Sequence, residues 1–204
     1  RQWYRKNLKS KIFVLVFAAS ILLIGVIFSG ISKKEPVTIT QSDSIELLTI
    51  DEKIKRAEII VVGEVKSTLP SHWLAPEGKD SRKASPEDVF ESGGLFTDSI
   101  ISINQLLKGD YEKPVLRVRA FVGEIEQVRW VNTSQPSYTP GHKYLLFLKN
   151  DTGPTAGIEP GHFMSINSAS AVYEIVNGKA ISKDDEWVFE DLITYIQNAL
   201  QSSQ

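Results

Sequence analysis

The first hydrophobic feature of the chain is a run of 21 residues, 12–32, that contains no charged side chain. As an α-helix this run reaches roughly 30 Å, about the thickness of the hydrocarbon core of a bilayer. Before it lie five cationic residues, and after it only two: Arg1, Arg5, Lys6, Lys9 and Lys11 against Lys33 and Lys34. Because basic residues beside a first membrane helix stay in the cytoplasm, the pattern predicts a single-pass protein of the cell membrane. Residues 1–11 are then a cytoplasmic basic tail.

The run also has features of a signal peptide, so two fates are open for it. Its apolar part is longer than the usual signal core of about 7–15 residues, which favours a retained transmembrane signal-anchor over residues 12–32. Gly30 and Ser32 are small residues two positions apart and leave cleavage as the alternative. Residues 33–44 read as a polar spacer, and residues 45–204 as an extracytoplasmic domain.

The first part of that domain predicts one short helix, one strand and one long loop. Thr49 and Glu52 form a capping-box pattern that begins a helix ending near Ala57. Residues 58–66 are rich in β-branched side chains and form a segment too short for a second helix, which indicates a central strand. Residues 68–94 contain prolines, glycines and mixed charges without a period, and they predict a long loop.

Short strand signals then recur with little helix between them. They cover residues 96–107, 115–122, 124–131 and 144–148, and residues 171–176 and 179–181 flank Asn177-Gly178, a pair typical of a tight hairpin turn. In residues 115–122, Leu116 and Val118 share one face while Arg117 and Arg119 share the other, as in a sheet with one solvated side. We expect a mainly β fold built on an antiparallel barrel.

The chain closes with an amphipathic pattern that predicts a helix from Glu186 to about Gln201, capped by Asp184 or Asp185. Its apolar stripe has two interpretations. It covers an open side of the barrel, or it docks onto a partner.

The order of these segments resembles the netrin-type module of tissue inhibitors of metalloproteinases, an OB-like five-stranded barrel. Three stretches carry the resemblance, residues 57–65, 103–109 and 141–148, within a region of about 57–150. It implies an OB-like fold and binding of proteins through loops and the barrel edge. The N-terminal cysteine on which inhibition depends in that family is absent, because the chain has no cysteine. Inhibitory activity is therefore not implied.

Composition narrows the classes of partner. All 25 acidic residues, but only 16 of the 23 basic ones, follow residue 34, which gives the predicted ectodomain a formal charge of −9. Such a domain repels phosphate backbones, so we expect no nucleic-acid partner. The lack of cysteine excludes disulfides, thiol nucleophiles and Cys-ligated metals.

The candidate binding residues are aromatic and cationic. Arg119, Phe121, Arg129 and Trp130, together with Arg117, would form a strip on the outer face of the barrel, a surface that OB-like folds use for ligands. Trp73 in the long loop is a further contact candidate. The alternatives are a charged solvent face for the strip and packing of Trp73 onto the barrel.

The main interpretation is a non-enzymatic ectodomain, without a cofactor, that binds a protein or glycan. A second is a metal-dependent hydrolase whose ligands are His142, His162 and Glu159, since two Pro-Gly-His turns place the histidines at strand starts. A third is a structural envelope component that docks through the C-terminal helix.

Two further patterns have surface interpretations. Glu124 and Glu126 have the spacing of a carboxylate pair on one strand face, although solvated surface is the better interpretation. Asn132 and Asn150 stand in glycosylation acceptor patterns.

Overall fold

The computed structural model describes residues 35–73, 94–126, 128–153, 155–158 and 160–202. The predicted membrane segment 12–32 and most of the predicted loop 68–94 lie outside these residues. Among the helices that are described, none combines the length and the apolar character needed to cross a bilayer.

The described residues form two α-helices and a series of strands. The helices are α1 (Ile50–Arg56) and α2 (Phe189–Gln201), and a 3₁₀ turn spans Ser168–Ala171. The strands are β1 (Val37–Gln41), β2 (Ile59–Thr68), β3 (His72–Trp73), β4 (Leu95–Lys108), β5 (Val115–Ala120), β6 (Gly123–Ile125), β7 (Val128–Asn132), β8 (Lys143–Asn150), β9 (Phe163–Ser165), β10 (Val172–Val176), β11 (Lys179–Ile181) and β12 (Glu186–Val188).

Five strands close a barrel in the order β2-β4-β5-β9-β8, with β8 pairing back to β2. The prediction of a mainly β fold with a barrel and a C-terminal helix is confirmed. The barrel is not antiparallel throughout, however, because β9 runs parallel to β5, with Val118 opposite Phe163. Strands β6, β7 and β8 lie between β5 and β9 along the chain. This connection is long enough for a parallel pair, which a tight hairpin cannot form.

Alternation along β2 explains how the barrel buries both of its faces. Ile59, Val61 and Val65 point into the barrel core, whereas Ile60 and Val62 belong to a second core on the outer side, beneath the two helices. Two-sided burial is the reason that residues 59–62 read as a continuous hydrophobic run.

The two helices begin for different reasons. At α1 the predicted capping box is present: the Glu52 amide donates to Thr49 Oγ1 at 3.3 Å, and the Thr49 amide donates to Glu52 Oε2 at 2.8 Å. Helix α2 begins at Phe189, not at Glu186, since residues 186–188 pair with β11 as strand β12. Neither Asp184 nor Asp185 caps it, because Val188 is the N-cap residue.

The apolar stripe of α2 lies on the outer face of the barrel. Leu192, Ile193 and Ile196 are buried in the second core with residues of β2 and β8. The helix therefore covers a side of a closed sheet, and the expected opening is absent from the described barrel. Hydrophobic burial of this kind stabilises the helix more than its own propensity does.

A separate three-stranded sheet, β1-β7-β6, corrects two predictions. Residues 37–41, expected in a polar spacer, form β1 and pair in parallel with β7, placing Ile39 opposite Trp130. The Val-Thr-Ile-Thr alternation of residues 37–40 lies in a polar stretch, and for this reason the sequence did not predict a strand there. Residues 124–131, expected as one strand, form the β6–β7 hairpin instead, because the backbone turns at Glu126 with φ of 51°.

The predicted hairpin at Asn177-Gly178 is confirmed. It joins β10 to β11, and both turn residues have positive φ, 52° for Asn177 and 77° for Gly178. These angles are those that a tight hairpin turn requires.

Candidate functional site

A cleft of about 460 Å³ opens at the end of the barrel where β2 and β5 end and β4 begins. We call it the barrel-mouth cleft. The residues that line it come from the three barrel strands, from the β6–β7 hairpin and from the segment that follows β7: Thr68, Thr97, Ser99, Ala120, Val122, Gly123, Glu124, Arg129, Trp130, Val131, Asn132, Gln135, Pro136, Ser137 and Tyr138.

The most buried lining residues include uncharged side chains of the barrel. Ala120 and Tyr138 belong to the core inside the barrel, and Ser99 is only 1% exposed. The Tyr138 ring packs edge-on against the Tyr144 ring, with centroids 5.6 Å apart. Burial raises the pKa of the Tyr138 phenol, so the hydroxyl keeps its proton and remains a potential hydrogen-bond donor.

A hydroxyl network fixes the wall formed by β4 and β6. Thr97 Oγ1 donates to the Val122 carbonyl at 2.7 Å, and Ser71 Oγ lies 2.8 Å from Thr97 Oγ1 while it accepts from the Glu124 amide. Gly123 permits this contact, since a Cβ there would lie 2.5 Å from Ser71 Oγ. The start of β6 is thereby held against the barrel.

The opposite wall is fixed by Asp43. Its Oδ2 accepts from Asn132 Nδ2 at 2.8 Å, and Ser134 Oγ donates to Asn132 Oδ1 at 2.6 Å. Hydrogen bonds from Asn132 and Gln41 lower the pKa of the Asp43 carboxyl. The carboxylate therefore stays charged and keeps the chain after β7 in place.

The segment Gln135–Ser137 separates the barrel-mouth cleft from a smaller cavity of about 180 Å³. The smaller cavity is lined also by Tyr144, Glu174 and Lys183. Gln135 holds this segment in place, because its Nε2 donates a hydrogen bond to Ser168 Oγ at 3.2 Å.

Two of the six predicted binding residues, Arg129 and Trp130, line the cleft. Arg129 Nε donates to Glu124 Oε2 at 2.7 Å in an exposed ion pair on the rim. Trp130 is 6% exposed and shares a small apolar cluster with Trp73. Gly94, with φ of 116°, packs so closely on the Trp130 ring that a Cβ would lie 2.7 Å from it.

The other four predicted residues do not line the described cleft. Arg117 Nη1 lies 3.6 Å from Asp98 Oδ2. Trp73 is 3% exposed and packs onto Leu95 and Val128, as the alternative interpretation expected. Phe121 is half-buried, and its amide donates to Gln135 Oε1 at 3.4 Å.

Arg119 lies on the outer face of the barrel but is covered. It is 1% exposed, binds both carboxylate oxygens of Asp98 and stacks on the Phe96 ring, with Cζ 3.8 Å from the ring centroid. Its Nη1 also donates to the carbonyls of Thr155 and Ile158 at 3.1 and 2.9 Å. The structure thus places Arg119 as a tether of the segment 155–158.

The histidines of the hydrolase hypothesis make separate contacts. His142 Nδ1 lies 2.5 Å from Glu174 Oε1 at the surface, whereas His162 Nε2 lies 2.8 Å from Asp151 Oδ2 in a buried position. Glu159 lies outside the described residues. Over the part of the chain that is described, no three His, Asp or Glu side chains converge as a metal site would require.

The remaining sequence patterns have defined positions. Glu124 faces Arg129 across the β6–β7 hairpin while Glu126 lies in its turn, so the two carboxylates are not paired on one strand face. The two acceptor asparagines differ in exposure: Asn132 is buried and donates to Asp43, and Asn150 is exposed and lies 2.5 Å from Glu58 Oε2.

Sequence reasoning missed most of the cleft, above all Tyr138. This residue lies in a Pro- and Ser-rich stretch, Gln135-Pro-Ser-Tyr-Thr-Pro-Gly141, that reads as an ordinary connection. A lone aromatic between two prolines was the available signal.

The sequence matches no protein-family model and no curated protein.

Proposed function

We propose that this chain is a single-pass, membrane-anchored extracytoplasmic binding protein whose barrel-mouth cleft receives part of a protein or glycan partner. The observation that carries the proposal is the cleft itself: about 460 Å³, with an uncharged floor and a polar rim. Ligand sites in proteins have volumes of about 300–1,000 Å³ and this distribution of apolar and polar groups, and barrel mouths are among their usual positions.

We also propose that the barrel is OB-like and related in form to the netrin-type module. Its second and third strands, β4 and β5, supply Thr97, Ser99 and Ala120 to the cleft. In OB folds these two strands and the loops at one end carry ligands. The resemblance to the netrin-type module implies protein binding at the barrel edge, and the position of the cleft is compatible with it. Fold alone does not decide function.

Recognition without catalysis is the activity that this site supports best. The charged side chains among its described lining residues are Glu124 and Arg129, which neutralise each other in an exposed ion pair. General acid–base catalysis depends on burial and neighbours that shift carboxyl pKa values. The exposed Glu124 carboxylate, which is paired with Arg129, is suited to orienting a partner and not to transferring a proton.

Photocrosslinking in cells tests the site. A benzoyl-phenylalanine at Ser137, an exposed residue of the cleft rim, is expected to form one dominant adduct with the partner. The same residue placed at exposed Lys113, between β4 and β5 at the other end of the barrel, serves as the matched control. Equal adducts from both positions would contradict the cleft as the binding site.

The absence of cysteine gives a direct test of topology. A Ser67→Cys variant carries one thiol, at an exposed position of β2. A membrane-impermeant maleimide is expected to label it on intact cells. Labelling only after lysis would refute the extracytoplasmic placement while leaving the cleft to be tested separately.

A further inference from the structure

Tyr138, which lines the barrel-mouth cleft, carries a buried hydroxyl that has no hydrogen-bond partner among the described residues. Three buried side-chain atoms have no hydrogen-bond partner among the described residues: Trp73 Nε1, Tyr138 Oη and Ser170 Oγ. Of these three residues, Tyr138 is the one that lines the barrel-mouth cleft. A buried donor without a partner destabilises a fold, and such a group in a native protein calls for an explanation.

The surroundings of Tyr138 restrict what can pair with it. Ala120, Val122 and Pro136 supply apolar surface nearby, and Ser99 is the buried polar neighbour in the lining. A charged group placed here would lose its hydration without an opposite charge on the floor, since Glu124 and Arg129 are exposed on the rim. The cleft therefore favours an uncharged group.

The same geometry favours a protein over a glycan. Sugars stack on exposed aromatic faces and need several free polar groups, but Trp130 and Tyr138 are only 6% and 7% exposed. Of the polar groups that line the cleft, Thr97, Asn132 and Gln135 already take part in internal hydrogen bonds. An apolar side chain needs neither an exposed aromatic face nor free polar groups, because the burial of its own surface is favourable.

We infer, resting on the proposed function, that the barrel-mouth cleft binds one uncharged apolar side chain of a protein partner. Tyr138 donates a hydrogen bond to an oxygen atom that the partner brings with it, such as the carbonyl of the same residue. The hydroxyl is thus a specificity-determining group. Unpaired, it destabilises the free protein, and the hydrogen bond formed on binding removes this destabilisation.

The test uses the full chain in detergent micelles, labelled with 5-fluorotryptophan. Trp130 reports on the cleft, and Trp187, which packs beside α2, is the internal control. The probes are N-acetyl-phenylalaninamide, N-acetyl-lysinamide and N-acetylglucosamine. We expect a saturable shift of the Trp130 resonance with the first probe only, and a 3- to 10-fold weaker affinity in Tyr138→Phe, about the effect of one lost hydrogen bond.

Each other outcome overturns a defined statement. A saturable shift with N-acetyl-lysinamide as tight as that with the phenylalanine probe refutes the preference for an uncharged group. Equal affinity in the wild type and Tyr138→Phe refutes the role of the hydroxyl and leaves the cleft intact. A saturable shift with N-acetylglucosamine and none with the phenylalanine probe refutes the protein side chain and leaves the proposed function standing with a glycan. No saturable shift with any probe refutes the cleft as a site, and the proposed function with it.

Discussion

Arg119 binds both carboxylate oxygens of Asp98, with Nε 2.7 Å from Oδ1 and Nη2 2.8 Å from Oδ2, and both side chains are at most 2% exposed. The pair joins β4 to β5 and, through the carbonyls of Thr155 and Ile158, ties the β8–β9 connection to the barrel. A basic residue that the sequence suggests as a ligand contact is therefore part of the scaffold around the cleft.

We predict that Asp98→Ala lowers the free energy of unfolding by about 3–5 kcal/mol, because it leaves the buried guanidinium without its counter-charge. Glu124→Ala breaks the exposed pair with Arg129 and is expected to cost less than about 1 kcal/mol. Urea unfolding of both variants measures the difference. Equal losses would show that the buried pair does not hold the barrel.

Tyr138 and Tyr144 offer a matched pair of hydroxyl deletions. Tyr144 Oη accepts from the Thr139 amide at 3.2 Å, whereas Tyr138 Oη has no partner among the described residues. We expect Tyr144→Phe to lower the free energy of unfolding by about 1 kcal/mol, and Tyr138→Phe to leave it unchanged or raise it. A loss from Tyr138→Phe as large as that from Tyr144→Phe would mean that the hydroxyl is already satisfied in the free protein.

How much of this arrangement the sequence predicts depends on how local each interaction is. The α1 capping box, β2 and the Asn177-Gly178 turn depend on neighbouring residues, and all three are predicted. Arg119 is different, since its burial depends on Asp98 and on a covering segment more than 30 residues away.

Strand β9 of the barrel could not be predicted from its local sequence either. Its three residues, Phe163–Ser165, give no periodic signal, yet they close the barrel by pairing with both β5 and β8. Tyr138 has no strand or helix pattern around it either, so only the packing of the barrel shows that it is buried. The candidate site was therefore predicted in part, through Arg129 and Trp130.

Acid should weaken the contact between α1 and the β11–β12 hairpin through Asp185. Burial alone would raise the pKa of this carboxyl, but hydrogen bonds from Ser182 and the nearby Lys53 cation outweigh burial and lower it below 3.8. The unfolded chain then binds more protons, so this stabilisation is present above the unfolded pKa and is lost as pH falls through the lower folded value.

We therefore predict that wild-type stability falls more steeply below about pH 4 than that of Asp185→Asn. Exposed Asp184→Asn is the control for a change of charge at the neighbouring position. Urea unfolding between pH 7 and pH 3 measures the slopes. If Asp185→Asn keeps the wild-type slope, Asp185 does not contribute to acid sensitivity.

The C-terminal helix should be part of the fold. Ile196 is fully buried in the second core, whereas Gln197 beside it is exposed. We expect Ile196→Ala to cost about 2–5 kcal/mol and Gln197→Ala to change stability by less than about 0.5 kcal/mol. Thermal unfolding compares them, and a negligible effect at Ile196 would favour the hypothesis that the stripe serves an external partner.

We propose the barrel-mouth cleft as the place where the partner binds. Once photocrosslinking at Ser137 identifies that partner, the decisive measurement is its affinity for the wild type, Ser137→Trp and Lys113→Trp, all as full chains in detergent. We predict at least a 10-fold loss in Ser137→Trp, whose indole fills the cleft, and unchanged affinity in Lys113→Trp. Unchanged affinity in Ser137→Trp would contradict the claim.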